Sequence, residues 1–181
     1  MQKAPVVALK SIRDRVSEAE WETRVDLAAC YRLVARYGMS DLVYNHITAR
    51  VPDEEGHILI NPYGFLYAEI TASSLYKIDL EEQQRLVRDL GVTDAMMLRN
   101  HGVLTCGRSI AEAFNVLYWL EMACKAQVDA MASHTELNLP SPEVAAKSAH
   151  LYAPGTRRVY GEMEWEAMRR LLDREDTSYQ T

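Results

Sequence analysis

The sequence predicts a mixed α/β chain built on antiparallel strands, and three observations carry that reading. Two stretches with helical spacing open on capping patterns, Ser17 with Glu20 and Ser109 with Glu112. Between them, Val43 to Val51 alternates with period two and is followed after a Pro52–Gly56 turn by His57-Ile58-Leu59-Ile60, the signature of a hairpin. Finally, Ala95-Met96-Met97-Leu98 reads as a buried strand and Val103-Leu104-Thr105 as its continuation after a break at His101-Gly102. The organising stretch runs from Met96 to Ser133.

Each element has a local cause. The first helix carries Leu27, Cys30, Tyr31 and Val34 on one face and is stopped by Gly38. In the hairpin, Val43, Ile47, Ala49 and Val51 point one way while Tyr44, His46, Thr48 and Arg50 point the other, which places His46 on the polar face. Asn61-Pro62-Tyr63-Gly64 ends the returning strand in a tight loop, and Leu75 to Ile78 is a further short strand. Asp79 with Glu82 caps a helix through Leu86, Val87 and Leu90 to Gly91. The long helix after Ser109 bears Ile110, Ala113, Phe114, Leu117, Leu120, Cys124, Val128 and Met131 on one face. A helical tail over 140–175 follows, one helix opened by Ser141-Pro142 and another spanning Met163 to Asp173.

Composition excludes some function classes. The chain of 181 residues, with 48% hydrophobic and 25% charged residues, fits one domain over 1–181 with a real core. Twenty basic against 26 acidic residues give a net charge of −6 without a basic run, which argues against a nucleic-acid or anionic-membrane partner. Three cysteines without CxxC spacing fit a reducing cytoplasm, and Cys106 reads as a packing residue rather than a nucleophile paired with His101. No run of about 18 apolar residues offers a membrane span.

Three motifs then share one resemblance. Tyr44-Asn45-His46-Ile47-Thr48-Ala49-Arg50, Leu59-Ile60-Asn61-Pro62-Tyr63-Gly64, and Leu98-Arg99-Asn100-His101-Gly102-Val103-Leu104 with the helix after Ser109 resemble the class II aldolase and adducin head-domain family, over about residues 21–131. The resemblance implies a three-layer α/β/α fold with a central, largely antiparallel sheet, and a homotetramer with sites between subunits. It also implies zinc or another divalent metal held by three histidines. In the family's enzymes that metal takes up charge as a carbonyl becomes an enediolate, while a glutamate moves the proton. Carried onto this chain, His101 is the metal ligand and Glu69 the catalytic carboxylate. His46, Thr48, Asn61 and Gly64 line the binding position for a small carbonyl substrate.

The chain departs from that pattern in four places. The family's His-x-His pair belongs between the equivalents of Asp79 and Glu81, which here are nearly adjacent, and no His-x-His occurs anywhere in the sequence. The aligned position of the family's glutamate is Ala68, with Glu69 next to it; bulky Tyr63 occupies the turn that grips phosphates, and Asn45 and His46 replace a glycine and an asparagine. The lost segment supplies strands in the family, so its absence is expected to expose a sheet edge. The expectation is a degenerate family member without aldol-cleaving activity and with no bound metal or a weakly held one. The alternative is a metal-dependent carbon–carbon lyase acting on a small sugar phosphate or hydroxy acid through a remodelled site. Ten tyrosines and three tryptophans, types favoured at interfaces, agree with self-association.

Overall fold

The computed structural model describes residues 11–79, 88–98, 102–152 and 161–181. The chain divides into two compact units, one of residues 1–86 with 167–181 and one of residues 87–166.

The first unit is built on helix α1, Glu18–Arg36. Its cap is the predicted Ser17, whose hydroxyl accepts the Glu20 N–H at 3.1 Å. The reciprocal arm of the capping box does not form. The Glu20 carboxylate is instead buried and bonds Arg24 Nε at 2.8 Å and Lys77 Nζ at 2.9 Å. At the other end Gly38 takes a left-handed φ of +66°, so that Met39 N–H reaches the Val34 carbonyl and Gly38 N–H the Ala35 carbonyl. The predicted face of Leu27, Cys30, Tyr31 and Val34 is fully inside, with Leu33, Leu59, Tyr67, Ile70 and Tyr179 completing the core.

Against this helix lies a three-stranded antiparallel sheet in the order β1 (Ala49–Arg50), β2 (His57–Ile60), β3 (Tyr76–Asp79). β1 pairs Ala49 with Leu59 and Arg50 with Ile58, and β2 pairs Ile58 with Ile78 and Ile60 with Tyr76. The hairpin is where the alternation places it, but its first strand is two residues long instead of nine; the cause lies in the site described below. A 3-10 turn at Tyr67–Glu69 and another at Ala72–Ser74 link β2 to β3. Arg24 holds the second of these, donating from Nη1 to the carbonyls of Leu75 at 2.8 Å and Ala72 at 3.3 Å.

In the second unit, β4 (Ala95–Leu98) and β5 (Gly102–Thr105) pair antiparallel, Ala95 opposite Thr105 and Leu98 opposite Gly102. β5 is thus the return arm of a hairpin and not a continuation of β4. Neither strand is buried as their apolar run suggests, and Met97 and Val103 are exposed. Helix α2, Ile110–Ala132, starts at the predicted Ser109 cap, whose hydroxyl accepts the Glu112 N–H at 3.1 Å. The Glu112 carboxylate reaches one residue further back than a capping box requires, taking the Arg108 N–H at 2.7 Å. Of the eight-residue stripe, Phe114 is buried, packing edge-on to Trp165 with centroids 5.6 Å apart, while Val128 and Met131 are exposed. Among the described residues, Thr105 Oγ1 of the β-hairpin donates to the Ala113 carbonyl at 3.3 Å in the first turns of α2, and burial of the stripe fades from there along the helix.

Two tail helices follow as predicted, α3 (Pro142–Tyr152) and α4 (Glu162–Glu175). From Ala167 onward α4 belongs to the first unit, where Arg169 donates to Asp26 at 2.7 Å. The helix predicted from Asp79 to Gly91 lies largely outside the described residues; its end at 88–90 is helical and Gly91 has φ +58°. Among the described residues, no helix is long and apolar enough to cross a membrane.

Candidate functional site

The sequence motifs converge on one hydroxyl. Tyr31 sits on the buried face of α1, its ring edge-on to Tyr67 with centroids 4.5 Å apart and planes at 88°. A buried tyrosine needs a partner for its hydroxyl. Here the oxygen accepts the Ile47 N–H at 2.8 Å and the Asn61 N–H at 3.3 Å, and its single proton is available to the Ile47 carbonyl or to Asn61 Oδ1 at 2.8 Å. Burial pushes the phenol above its ordinary range, which keeps it a neutral hydroxyl able to donate and accept at once.

This contact also explains the short first strand. Continuing the register of Ala49 with Leu59, the next hydrogen-bonded pair would be Ile47 with Asn61. The Tyr31 hydroxyl occupies that place, bonding both backbones, so the ladder stops at Ala49. The segment carrying His46 and Thr48 and the turn carrying Asn61 and Gly64 are thereby tied to the same point on α1.

The candidate residues occupy different settings around it. His46 and Thr48 are exposed. Asn61 is buried and its amide is committed inward, Oδ1 to Tyr31 and Nδ2 to the Pro62 carbonyl at 3.4 Å. Gly64 holds φ +88° in the exposed turn, a conformation that a side chain would strain. Glu69 is exposed, and its Oε2 accepts the Leu66 N–H at 2.9 Å, closing its own 3-10 turn. That turn is clamped from α1 by Tyr31 under Tyr67 and by Arg32 Nε donating to the Ile70 carbonyl at 3.0 Å. His101 lies outside the described residues.

Sequence reasoning missed Tyr31, Arg32 and Arg24 as organisers of these loops. The available signal was a tyrosine and two arginines on or beside the apolar face of a helix, since buried polar groups must be satisfied. Cys106 follows β5 and is exposed rather than packed in a strand. Its thiol is nevertheless held above the ordinary value, by desolvation first and by Asp94 second, opposite to what a nucleophile requires. Burial, with Asp26 nearby, likewise pushes the Cys30 thiol up to about 12.

The model of the class II aldolase and adducin N-terminal domain matches the chain in two stretches, residues 25–89 and 81–128. This chain belongs to the class II aldolase and adducin family. A Caulobacter vibrioides protein whose name places it in aldolase class 2 is 32% identical, the alignment covering 93% of this chain and 96% of the relative. Rat alpha-adducin is 29% identical over 83% of this chain and 33% of its own length. Among solved structures, an aldolase II superfamily protein from Pseudomonas syringae matches with a TM-score of 0.83 and 31% identity, over 95% of this chain and 100% of that one. L-fuculose 1-phosphate aldolase from Glaciozyma antarctica matches with a TM-score of 0.74 at 18% identity, covering 99% and 97% of the two chains, a likeness of fold. The α/β fold is therefore that of the class II aldolases.

The same comparisons show unmatched positions. The Caulobacter alignment runs over 246 positions against a chain of 181 residues, so at least 65 of those positions have no counterpart here. The two stretches matched by the family model meet at 81–89, directly after β3.

A divalent metal, which the family generally uses, asks for a specific donor set. A catalytic zinc takes three protein ligands and keeps one position open. Among the described residues, no three His, Cys, Asp or Glu side chains converge. His57 has Glu54 at 3.7 Å on one ring nitrogen and Asp79 at 3.2 Å on the other, so its two carboxylates flank the ring instead of sharing a focus with it. The described residues do not fit the metal.

Proposed function

We propose that this chain is a non-catalytic, self-associating member of the class II aldolase and adducin family, which keeps the loop scaffold without the metal-enediolate chemistry. The donor set carries this reading. The five histidines stand at 46, 57, 101, 134 and 150, none in a His-x-His pair, and the described ones do not gather with carboxylates or thiols into a threefold site. The setting of Glu69 supports it further, because its Oε2 closes its own turn with the Leu66 N–H at 2.9 Å and the side chain is exposed instead of facing an enclosed site. Tyr63 is exposed in the turn next to Gly64, where its ring would crowd an anion approaching the backbone.

The test joins elemental analysis of the purified protein to an aldol-cleavage assay on sugar phosphates and short hydroxy acids, with zinc, manganese or cobalt added. We expect substoichiometric metal, and turnover well below about 1 per second, the low end of typical enzymes. Metal-dependent turnover above that value and abolished by His101→Ala would overturn the reading in favour of a lyase with a remodelled site. Light scattering tests self-association separately.

A further inference from the structure

We infer that β3 is an open sheet edge that pairs antiparallel with β3 of a second copy, about a two-fold axis at Ile78. The inference rests on the self-association proposed above and specifies one contact within it.

The edge is defined by register. Val51 N–H donates to the His57 carbonyl at 3.1 Å, and Ala49 stands opposite Leu59. Along an antiparallel strand the N–H and C=O of one residue point to the same side, and the side alternates from residue to residue. His57 and Leu59 therefore address β1, while Ile58 and Ile60 address β3. Their partners Ile78 and Tyr76 face back toward β2. Lys77 and Asp79 consequently direct their backbone donors and acceptors outward, where β3 pairs with no other strand among the described residues. All four residues of β3 are exposed, including Tyr76 at 59% and Ile78 at 42%. The two stretches matched by the family model meet directly after this strand. Unpaired edges of this kind are templates for another strand.

Charge selects the register. Two copies related by a two-fold axis can form hydrogen-bonded pairs from outward-facing residues in three ways. Centring the axis on Lys77 sets lysine against lysine, and centring it on Asp79 sets aspartate against aspartate; like charges directly opposite are unfavourable. Centring it on Ile78 sets Lys77 against Asp79 of the second copy twice over, with both backbone pairs hydrogen-bonded and Ile78 facing its own copy. Within its own chain Asp79 contacts His57 Nε2 at 3.2 Å with a side chain 90% exposed, and Lys77 Nζ meets Glu20 at 2.9 Å and Glu54 at 2.8 Å, so the cross-copy pair extends a charge cluster that already alternates in sign.

The geometry gives a positional test. Non-hydrogen-bonded pairs bring Cα atoms to about 4.5 Å, within the range of about 4.4–6.8 Å that a disulfide spans. In a background carrying Cys106→Ser and Cys124→Ser, mild oxidation of Ile78→Cys should give a covalent dimer. Tyr76→Cys, which has no copy of itself across the axis, should not. Adding Asp79→Lys, which sets lysine against lysine, should cut the yield of cross-linked Ile78→Cys at least tenfold, and alone it should lower the association state seen by sedimentation while circular dichroism stays unchanged. Cross-linking at Tyr76→Cys equal to that at Ile78→Cys overturns the register. An oligomer that survives Asp79→Lys, with no cross-linking through Ile78→Cys, overturns the edge contact and leaves self-association standing. A wild-type monomer at about 100 μM overturns both.

Discussion

Replacing Tyr31 with Phe isolates one oxygen atom on which two candidate loops depend. The ring keeps its edge-on contact with Tyr67, so no cavity opens. Four polar groups lose a partner: the N–H and C=O of Ile47, and the N–H and Oδ1 of Asn61. Ile47 is half-buried and water can reach it, whereas Asn61 is buried, so the cost falls mainly on the two Asn61 groups. Leaving a buried polar group unsatisfied costs about 1–3 kcal/mol. With partial relief by rotation of the Asn61 amide, the expected loss is about 2–3 kcal/mol. For a chain of this size, about 2–4 °C of melting temperature accompany each kcal/mol, so the variant should melt about 4–12 °C lower. Urea unfolding should show a lower midpoint at unchanged slope. A cycle with Asn61→Ala should return a coupling of about 1–2 kcal/mol, within the range for residues in contact. A loss below about 0.5 kcal/mol would refute the reasoning, because it would mean that Ile47 and Asn61 close the ladder directly once the hydroxyl is gone.

Two further outcomes follow from buried contacts. Burial alone would raise the Glu20 pKa, but its hydrogen bonds to Lys77 and Arg24 win and hold it below the ordinary carboxylate range; its contribution to stability is therefore present above that range and lost as pH falls through it toward the lower folded value. Urea midpoints measured between about pH 6 and pH 3 should fall less steeply in Glu20→Gln, and that variant should be less stable at pH 7 by about 3–5 kcal/mol, the cost of breaking a buried pair. An added Cβ at Gly161 would lie 2.5 Å from the Ala111 carbonyl oxygen at a φ of +90°, so Gly161→Ala should destabilise by about 1–3 kcal/mol, and unchanged thermal unfolding would contradict that close packing.

Local chemistry was enough to place several features. Both serine caps, the stop at Gly38, the Pro52–Gly56 turn and the tail helix at Pro142 depend on groups within a few residues of one another, and they stand where the sequence places them. The family was legible for the same reason, since its three motifs are contiguous strings. Tertiary structure decided what those strings do. The alternation from Val43 to Val51 cannot reveal that a tyrosine about thirty residues from Asn61 takes the place of a ladder bond and ends the strand at Ala49. Nor can a capping pattern foresee that Glu20 turns inward to Arg24 and Lys77, a choice set by the desolvated arginine it must neutralise. Apolar runs at Ala95–Leu98 and along α2 record which residues are free to be buried; whether they are depends on what packs over them, and among the described residues of the second unit burial fades after the first turns of the helix.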